Sequence, residues 1–332
     1  MSTDDDVRPD PALPVASADD SGLARTAKGS EESPAGSSTI PGSDSPRVGV
    51  LGLGSMGLPM AEHLLRAHGS LTVHSRTPKP QLTAQGARWA ETPRELAEAV
   101  DTVLVMLPDL PDLEPLLGGE DGLLAPEGEL LLMIGSTSSS VQVRELGERL
   151  AAETDGRVRV IDCPVSGGED GAQAGTLAIM LGGSEADTDE AARLLAPCGN
   201  PVRLGPLGAG EVAKSCNQMI VSATALALGE VTVLAERSGL DLGTLFELLQ
   251  GGYAGSNLMA SRREKFVTGD DSPSGVAKYM VKDLRFAGEI AEATDTHGAL
   301  LPALRAAFDE LVEAGLGDRD LATTRRFTEQ RS

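Results

Sequence analysis

The chain has 332 residues, with 28 basic against 50 acidic side chains for a net charge of −22, and only 2% of it is aromatic. That length suits one large domain or two, the core has to be built from Leu, Val, Ala and Met, and the negative charge argues against nucleic acid or an anionic membrane as a partner. Three cysteines (163, 198, 216) and four histidines (63, 68, 74, 297) show no disulfide or metal-ligand spacing, so no metal is expected and a reducing, cytoplasmic setting is.

Residues 1–46 are rich in Ser, Asp, Pro, Gly and Ala, and their nine acids outweigh three bases. Such a segment buries too little surface to offset its ordering entropy, and it reads as a disordered acidic tail. It has neither the basic start nor the apolar centre of a secretory signal. No unbroken apolar run in the chain reaches the roughly 18–20 residues that span a bilayer.

Order begins at 48–51, an apolar strand that runs into glycines spaced G-x-G-x-x-G at Gly52, Gly54 and Gly57, with Leu53, Ser55 and Met56 between them. Residues 58–67 follow as a helix. Strand, glycine turn, helix is the setting that dinucleotide binding requires. Gly52 permits the tight turn, Gly54 the approach of a pyrophosphate, and Gly57 close packing of helix on strand. A second strand, 71–75, leads into Ser75-Arg76-Thr77-Pro78-Lys79. NAD sites place a carboxylate in this region to bind the ribose 2′-OH. Here hydroxyls and a guanidinium stand instead, which favours NADP(H) and leaves NAD(H) open. The alternative is that Arg76 stacks on adenine and selects neither cofactor.

A helix over 91–100 has Thr92 as N-cap and Pro93 at its first position. Strands are predicted at 102–107, ended by Pro108, and at 130–134, 158–161 and 177–181. The near-continuous apolar character of the first two is that of parallel strands buried on both faces, and the last two are shorter candidates. After about 207 only helices are read: 211–238, 242–249, 276–293 and 301–314. The first of these has a thin polar face and is expected to be buried on most sides. The fold class is therefore α/β: a Rossmann-type doubly wound sheet followed by an all-α domain, joined through a long helix. The expected divisions are the tail at 1–46, a dinucleotide-binding Rossmann domain at 47–207 and a helical substrate and oligomerisation domain at 208–326.

Gly52-Leu53-Gly54-Ser55-Met56-Gly57-Leu58-Pro59-Met60-Ala61 resembles the opening signature of the β-hydroxyacid dehydrogenases, a family that includes 3-hydroxyisobutyrate dehydrogenase and tartronate semialdehyde reductase. Further matches follow in family order: Met106-Leu107-Pro108, Ser136-Thr137, Asp162-Cys163-Pro164-Val165-Ser166-Gly167-Gly168, Gly175-Thr176-Leu177, Gly208-Ala209-Gly210 with Lys214 and Asn217-Gln218, and Lys282-Asp283-Leu284. The resemblance covers about 47–325. It implies a Rossmann domain joined to a helical domain by one long helix, and a homo-oligomer, dimer or tetramer, formed through the helices.

The resemblance also implies site residues. The family's catalytic lysine falls on Lys214, beside a helix N-terminus whose partial positive charge makes an ammonium a readier proton donor; on residues alone, an ordinary solvated lysine is the competing reading. Ser166, Gly167 and Gly168 match the loop that binds the substrate carboxylate, and Asn217 and Gln218 offer amides to the substrate. Leu107, Pro108, Ser136 and Thr137 match cofactor contacts, although Ile134 stands where relatives commonly carry Asp. Lys282 resembles a lysine at the active-site edge and is grouped with the cofactor contacts. Cys163 reads as core filling. Val221, seven residues after Lys214, occupies the place of a glutamate that decarboxylating 6-phosphogluconate dehydrogenases carry. The expected reaction is therefore reversible hydride transfer between a nicotinamide cofactor and a short 3-hydroxy acid or its aldehyde form, without decarboxylation. An imine reductase-like enzyme and a non-catalytic dinucleotide-binding module are the alternatives; Lys214 argues against the first, and Lys214, Asn217 and the Ser166 loop together argue against the second.

Overall fold

A computed structural model describes residues 47–331, so the expected acidic tail at 1–46 lies outside the described residues. The sheet-forming part comprises β1 (Val48–Leu51), α1 (Gly57–His68), β2 (Thr72–His74), α2 (Pro80–Ala84), β3 (Arg88–Trp89), α3 (Pro93–Ala99), β4 (Thr102–Val105), α4 (Glu114–Leu117), β5 (Leu130–Ile134), α5 (Ser140–Glu153) and β6 (Val158–Asp162). It continues through β7 (Val165–Ser166), α6 (Gly168–Ala174), β8 (Leu177–Gly182), α7 (Glu185–Leu195) and β9 (Gly199–Gly205). The helical part comprises α8 (Ala209–Arg237), α9 (Leu242–Gln250), α10 (Asn257–Thr268), α11 (Tyr279–Ala293), α12 (Leu300–Glu313) and α13 (Thr324–Gln330).

The first six strands are parallel, in the order β3-β2-β1-β4-β5-β6; β8 and β7 continue the sheet antiparallel, and β9 pairs parallel with β8. Every residue of β1, β4 and β5 is buried, which accounts for their near-unbroken apolar sequences. One sheet face packs against α1, α6 and α7 through Met60, Leu64, Ala172 and Leu195, and the other against α3 and α5 through Leu96, Val143 and Leu150. Thr92 caps α3 by accepting the Glu95 N–H, with Pro93 at the first helical position. The strand order reverses beside β1, between β2 and β4. The crevice outside the carboxyl ends of those strands is where open α/β sheets bind ligands.

All five phenylalanines of the chain lie in the helical part and are buried there, with Phe246 stacked on Phe266 at 6.0 Å. The single tryptophan, Trp89, is half-buried on β3 with its ring 6.0 Å from that of His74.

Several elements differ from expectation. β4 stops at Val105, although the Met106 N–H still donates to Leu51 O at 2.8 Å. β3 and β7 are only two residues long, too short for any periodicity to register. β9 is an edge strand with Val202 and Leu204 about half exposed, so it lacks the buried alternation that marks a strand.

The expectation that α8 is buried on most sides is corrected. One face, including Glu211, Lys214, Ser215, Gln218, Ser222, Ala225, Gly229 and Thr232, is buried, while Cys216, Ile220, Ala227 and Leu234 are exposed, Ile220 and Leu234 at 68% each. The cause is that the polar and small residues point inward. They let α13 approach until a Cβ on Gly229 would lie 2.5 Å from the Thr324 carbonyl carbon, and Thr324 Oγ1 donates to Ala225 O at 2.7 Å. An 18-residue window of α8 has a mean hydropathy of 1.6, enough by composition to cross a bilayer, but the face bearing Glu211 and Lys214 is packed against protein.

Candidate active site

β1 delivers the chain to the crevice at Gly52, whose φ of +98° and contact with Met106 O, 2.4 Å from a notional Cβ, admit only glycine. Gly57 is equally confined, its notional Cβ lying 2.1 Å from Gly52 O, so α1 rests directly on the turn. Gly54 differs: it is exposed, and nothing stands within 4 Å of where its Cβ would be. α1 has no side-chain cap and no acid in its first turn; the Leu58 and Met60 N–H groups donate to Gly54 O and Met56 O and Pro59 has none, so the N–H groups open to an anion are those of the turn at Ser55, Met56 and Gly57. Ser55 is exposed and Met56 half-buried, whereas Leu53 is only 3% exposed, with its side chain in the core. Leu53 can therefore face a ligand only with its backbone. After β2, Ser75 Oγ donates to Thr77 O at 2.7 Å, closing a turn that leaves Arg76 and Thr77 exposed. These residues fit a nicotinamide dinucleotide.

A second constellation forms where β6, β7 and α8 meet. β6 ends at Asp162, which is fully buried and accepts the N–H groups of Gly208 and Glu211, each at 2.7 Å. A carboxylate on the sheet thus caps α8, whose own N-cap, Gly208 at φ +90°, has no side chain to do so. Burial pushes the Asp162 carboxyl up to about 6, against the pull of these N–H donors. Glu211 is also fully buried; its Oε2 accepts the Ser138 N–H at 3.1 Å, and burial pushes its carboxyl well up.

One turn further along α8, Lys214 is 7% exposed and its Nζ donates to Val165 O at 2.8 Å and Gln218 Oε1 at 3.0 Å. Burial lowers its ammonium below the ordinary lysine range, while Asp283 and Glu211 pull it back upward. Ser166 Oγ donates to Asn217 Oδ1 at 3.2 Å, and Asn217 Nδ2 donates to Gln218 Oε1 at 2.9 Å. Gly167 and Gly168, at φ +141° and +64°, carry the chain from β7 into α6 and leave their backbone exposed beside Ser166. The fold thus brings Lys214, Ser166, Asn217 and Gln218 together. The Gln218 amide, expected to face substrate, is engaged at both ends by protein, since its Nε2 also donates to Asp283 Oδ2 at 2.5 Å.

The remaining expected contacts line the loops after β4 and β5. The Leu107 N–H donates to Ser136 Oγ at 3.2 Å, and Lys282 Nζ, reaching across from α11, donates to Pro108 O at 2.9 Å and Thr137 O at 2.5 Å. Lys282 therefore ties the helical part to both loops. Ile134, in place of the common Asp, is fully buried on β5. Cys163 is fully buried in the sheet core, and burial pushes its thiol well up, which suits core filling and not nucleophilic chemistry.

Sequence reasoning passed over Asp162, Glu211 and Asp283 as individual participants. For Asp162 a signal existed, a carboxylate ending an otherwise apolar strand. Asp283 meets Gln218 from another helix, 65 residues away, and no local pattern announces that.

Residues 47–209 match the family described as the NAD binding domain of 6-phosphogluconate dehydrogenase, and residues 208–327 the family described as NAD-binding of NADP-dependent 3-hydroxyisobutyrate dehydrogenase. The probable 3-hydroxyisobutyrate dehydrogenase-like 3, mitochondrial, of Arabidopsis thaliana is 35% identical over 254 residues, covering 74% of this chain and 77% of that protein. The 2-hydroxy-3-oxopropionate reductase of Escherichia coli is 34% identical over 257 residues, covering 74% of this chain and 85% of that protein. The solved structure of a 3-hydroxyisobutyrate dehydrogenase from Mycobacterium tuberculosis with L-serine matches with a TM-score of 0.71 at 29% identity, covering 86% of this chain and 99% of that one.

Proposed function

The chain belongs to the β-hydroxyacid dehydrogenase family, NAD(P)-dependent oxidoreductases, and from that premise we propose that its substrate is a short 3-hydroxy acid, 3-hydroxyisobutyrate-like or tartronate semialdehyde-like, interconverted with its aldehyde form without decarboxylation. The observation that carries this reading is the buried Lys214, bonded to Val165 O and adjoining Ser166 and Asn217. A bound nicotinamide dinucleotide supplies the hydride chemistry. Lys214 gives or takes the proton of the reacting oxygen, and its lowered proton affinity suits that exchange near neutral pH. Ser166 and the N–H groups of Gly167 and Gly168 hold the substrate carboxylate, and Asn217 orients the carbinol. Val221, a half-buried apolar residue, provides no second acid to assist loss of carbon dioxide.

The cofactor lies along Gly52, Leu53, Gly54, Ser55, Met56 and Gly57 and meets Ser75, Arg76, Thr77, Leu107, Pro108 and Thr137, with Lys282 bracing the last two. Arg76, with no carboxylate between it and Lys79, supports a preference for NADP(H). Residues 47–207 serve the cofactor, and 208–326 supply Lys214 and the contacts for a homo-oligomer. The three free thiols suit the cytoplasm. Lys214 weighs against an imine reductase-like reading, since such enzymes usually replace this lysine.

Single-turnover hydride transfer with a panel of 3-hydroxy acids and both cofactors tests the proposal. Lys214→Ala is expected to slow it by about 10²–10⁴-fold with cofactor affinity little changed. Lys214→Arg is expected to rescue poorly, because guanidinium keeps its proton near neutral pH. Near-wild-type transfer in the alanine variant, with melting temperature as the folding control, would overturn the assignment and revive a non-catalytic dinucleotide-binding module.

A further inference from the structure

Gln218 lies at the junction of three side chains. Its Oε1 accepts from Lys214 Nζ and Asn217 Nδ2, at 3.0 and 2.9 Å, and its Nε2 donates to Asp283 Oδ2 at 2.5 Å. Lys214, Gln218 and Asp283 are 7%, 7% and 4% exposed. An ammonium only donates and a carboxylate only accepts, so a carboxamide between them satisfies both at once. The bonds run in one direction, from ammonium to amide oxygen and from amide hydrogen to carboxylate, and each polarises the next.

We propose that Gln218 is a positioning residue that ties the Lys214 ammonium to the Asp283 carboxylate, so that α11 governs how tightly a lysine on α8 holds its proton. The importance of this tie to turnover rests on the acid–base reading of Lys214. Its existence does not.

The carboxylate is an unusual structural element. Asp283 Oδ1 has no hydrogen-bond partner among the described residues and lies 3.9 Å from Lys282 Nζ. A buried, half-satisfied carboxylate contributes poorly to stability, and burial pushes the Asp283 carboxyl up, while Lys282, Gln218 and Lys214 pull it back down; ionised, it holds the Lys214 proton in place. The other charged groups around the lysine are Glu211 on α8 and Lys282 on α11; Asp162 at the end of β6 acts on Glu211, and Asp109, after β4, acts on Asp283. Among these, Asp283 is the strongest influence holding the Lys214 proton in place, ahead of Glu211, and Lys282 opposes both. Removing the Asp283 charge while keeping its shape leaves burial and Lys282 less opposed, so Lys214 should release its proton at lower pH. Removing the amide should do the same by taking away the acceptor at Nζ.

The test is a titration of the full-length, cofactor-free protein by NMR, with lysines carbon-13 labelled at Cε and the Lys214 resonance identified by its loss in Lys214→Met. Asp283→Asn retains a carbonyl for Gln218 Nε2 and is expected to lower the Lys214 midpoint by about one pH unit, the low end for loss of a nearby opposite charge. Gln218→Met has similar length and no amide, and is expected to lower it as well. In the double variant the drop should match the larger single one, because both substitutions break the same chain. An unchanged midpoint in Asp283→Asn, or drops that add in full, would overturn the proposal. If Gln218→Met fails to fold, the isosteric Asp283→Asn still decides. Normal turnover in Lys214→Ala would defeat the acid–base reading and leave the titration result standing.

Discussion

Asp162 is subject to two opposing demands. As a carboxylate it caps the first turn of α8 and sits at the positive end of that helix. As a fully buried group it resists ionising, and its carboxyl is pushed from the ordinary 3.8 up to about 6. The folded chain therefore holds this proton more tightly than the unfolded chain does. The stabilisation is fully present below about pH 4 and is lost as pH rises through about 6, a change of roughly 3 kcal/mol at 1.36 kcal/mol per pH unit. Asp162→Asn cannot titrate and should remove that slope. Near pH 7, where the carboxylate accepts both N–H groups, it should also be less stable by about 1–3 kcal/mol, because its amide turns an N–H toward a backbone N–H, and the gap should widen toward pH 4. Urea unfolding at pH 4, 5, 6 and 7 measures both effects. Glu211 also contributes to the slope and is itself pushed up by the Asp162 charge, so the difference between the two curves reports Asp162 together with its effect on Glu211, and parallel curves would refute its titration. At this scale the sequence picked out residues standing in a motif, such as Lys214 and Ser166, which the fold brings to one place. It was misleading for Gln218, whose amide is taken up by Lys214 and Asp283, and gave Asp283 no role, because both depend on contact between distant segments.

Among the elements, the glycine turn separates two uses of one residue type. Gly57 and Gly229 are sites of backbone contact, 2.1 Å from Gly52 O and 2.5 Å from the Thr324 carbonyl carbon for a notional Cβ, whereas Gly54 faces open space. Gly54→Ala is expected to leave the melting temperature within a degree or two, on the order of a surface substitution, and to weaken cofactor binding. Gly57→Ala and Gly229→Ala should destabilise by about 1–3 kcal/mol or more through overpacking. Thermal melts with and without NADP distinguish the two classes; a destabilised Gly54→Ala or a fully stable Gly229→Ala would contradict the geometry. Buried strands such as β4 and β5 were legible because a hydrophobic interior on both faces writes itself as an unbroken apolar run. β9 was not, because an edge strand has no such interior. The composition of α8 announced a long helix correctly. It could not say which side faced inward, since the inward face is the more polar one.

For the whole molecule, the outward side of α8 is the feature that a single chain leaves unexplained. Ile220 and Leu234, each 68% exposed, lie on one helix with exposed Cys216 and Ala227. Exposed apolar patches of this kind mark interaction surfaces, and symmetric pairing of identical chains is the commonest way to cover them. Sedimentation of the wild type should give a dimer or larger species. Ile220→Glu combined with Leu234→Glu should shift it toward the 34.3 kDa of one chain. A monomeric wild type would show that this face is left to solvent.

The placement of Trp89 has an optical consequence. It is the only indole in the chain, while the five phenylalanines and both tyrosines belong to the helical part. Light absorbed by indole alone therefore reports from one place, β3, beside β2, whose last residue His74 leads into Ser75 and Arg76. Its emission can follow a ligand arriving at that end of the crevice without a dye or a label. A change in tyrosine emission that leaves Trp89 unaltered would time, in the same cuvette, events confined to the helices.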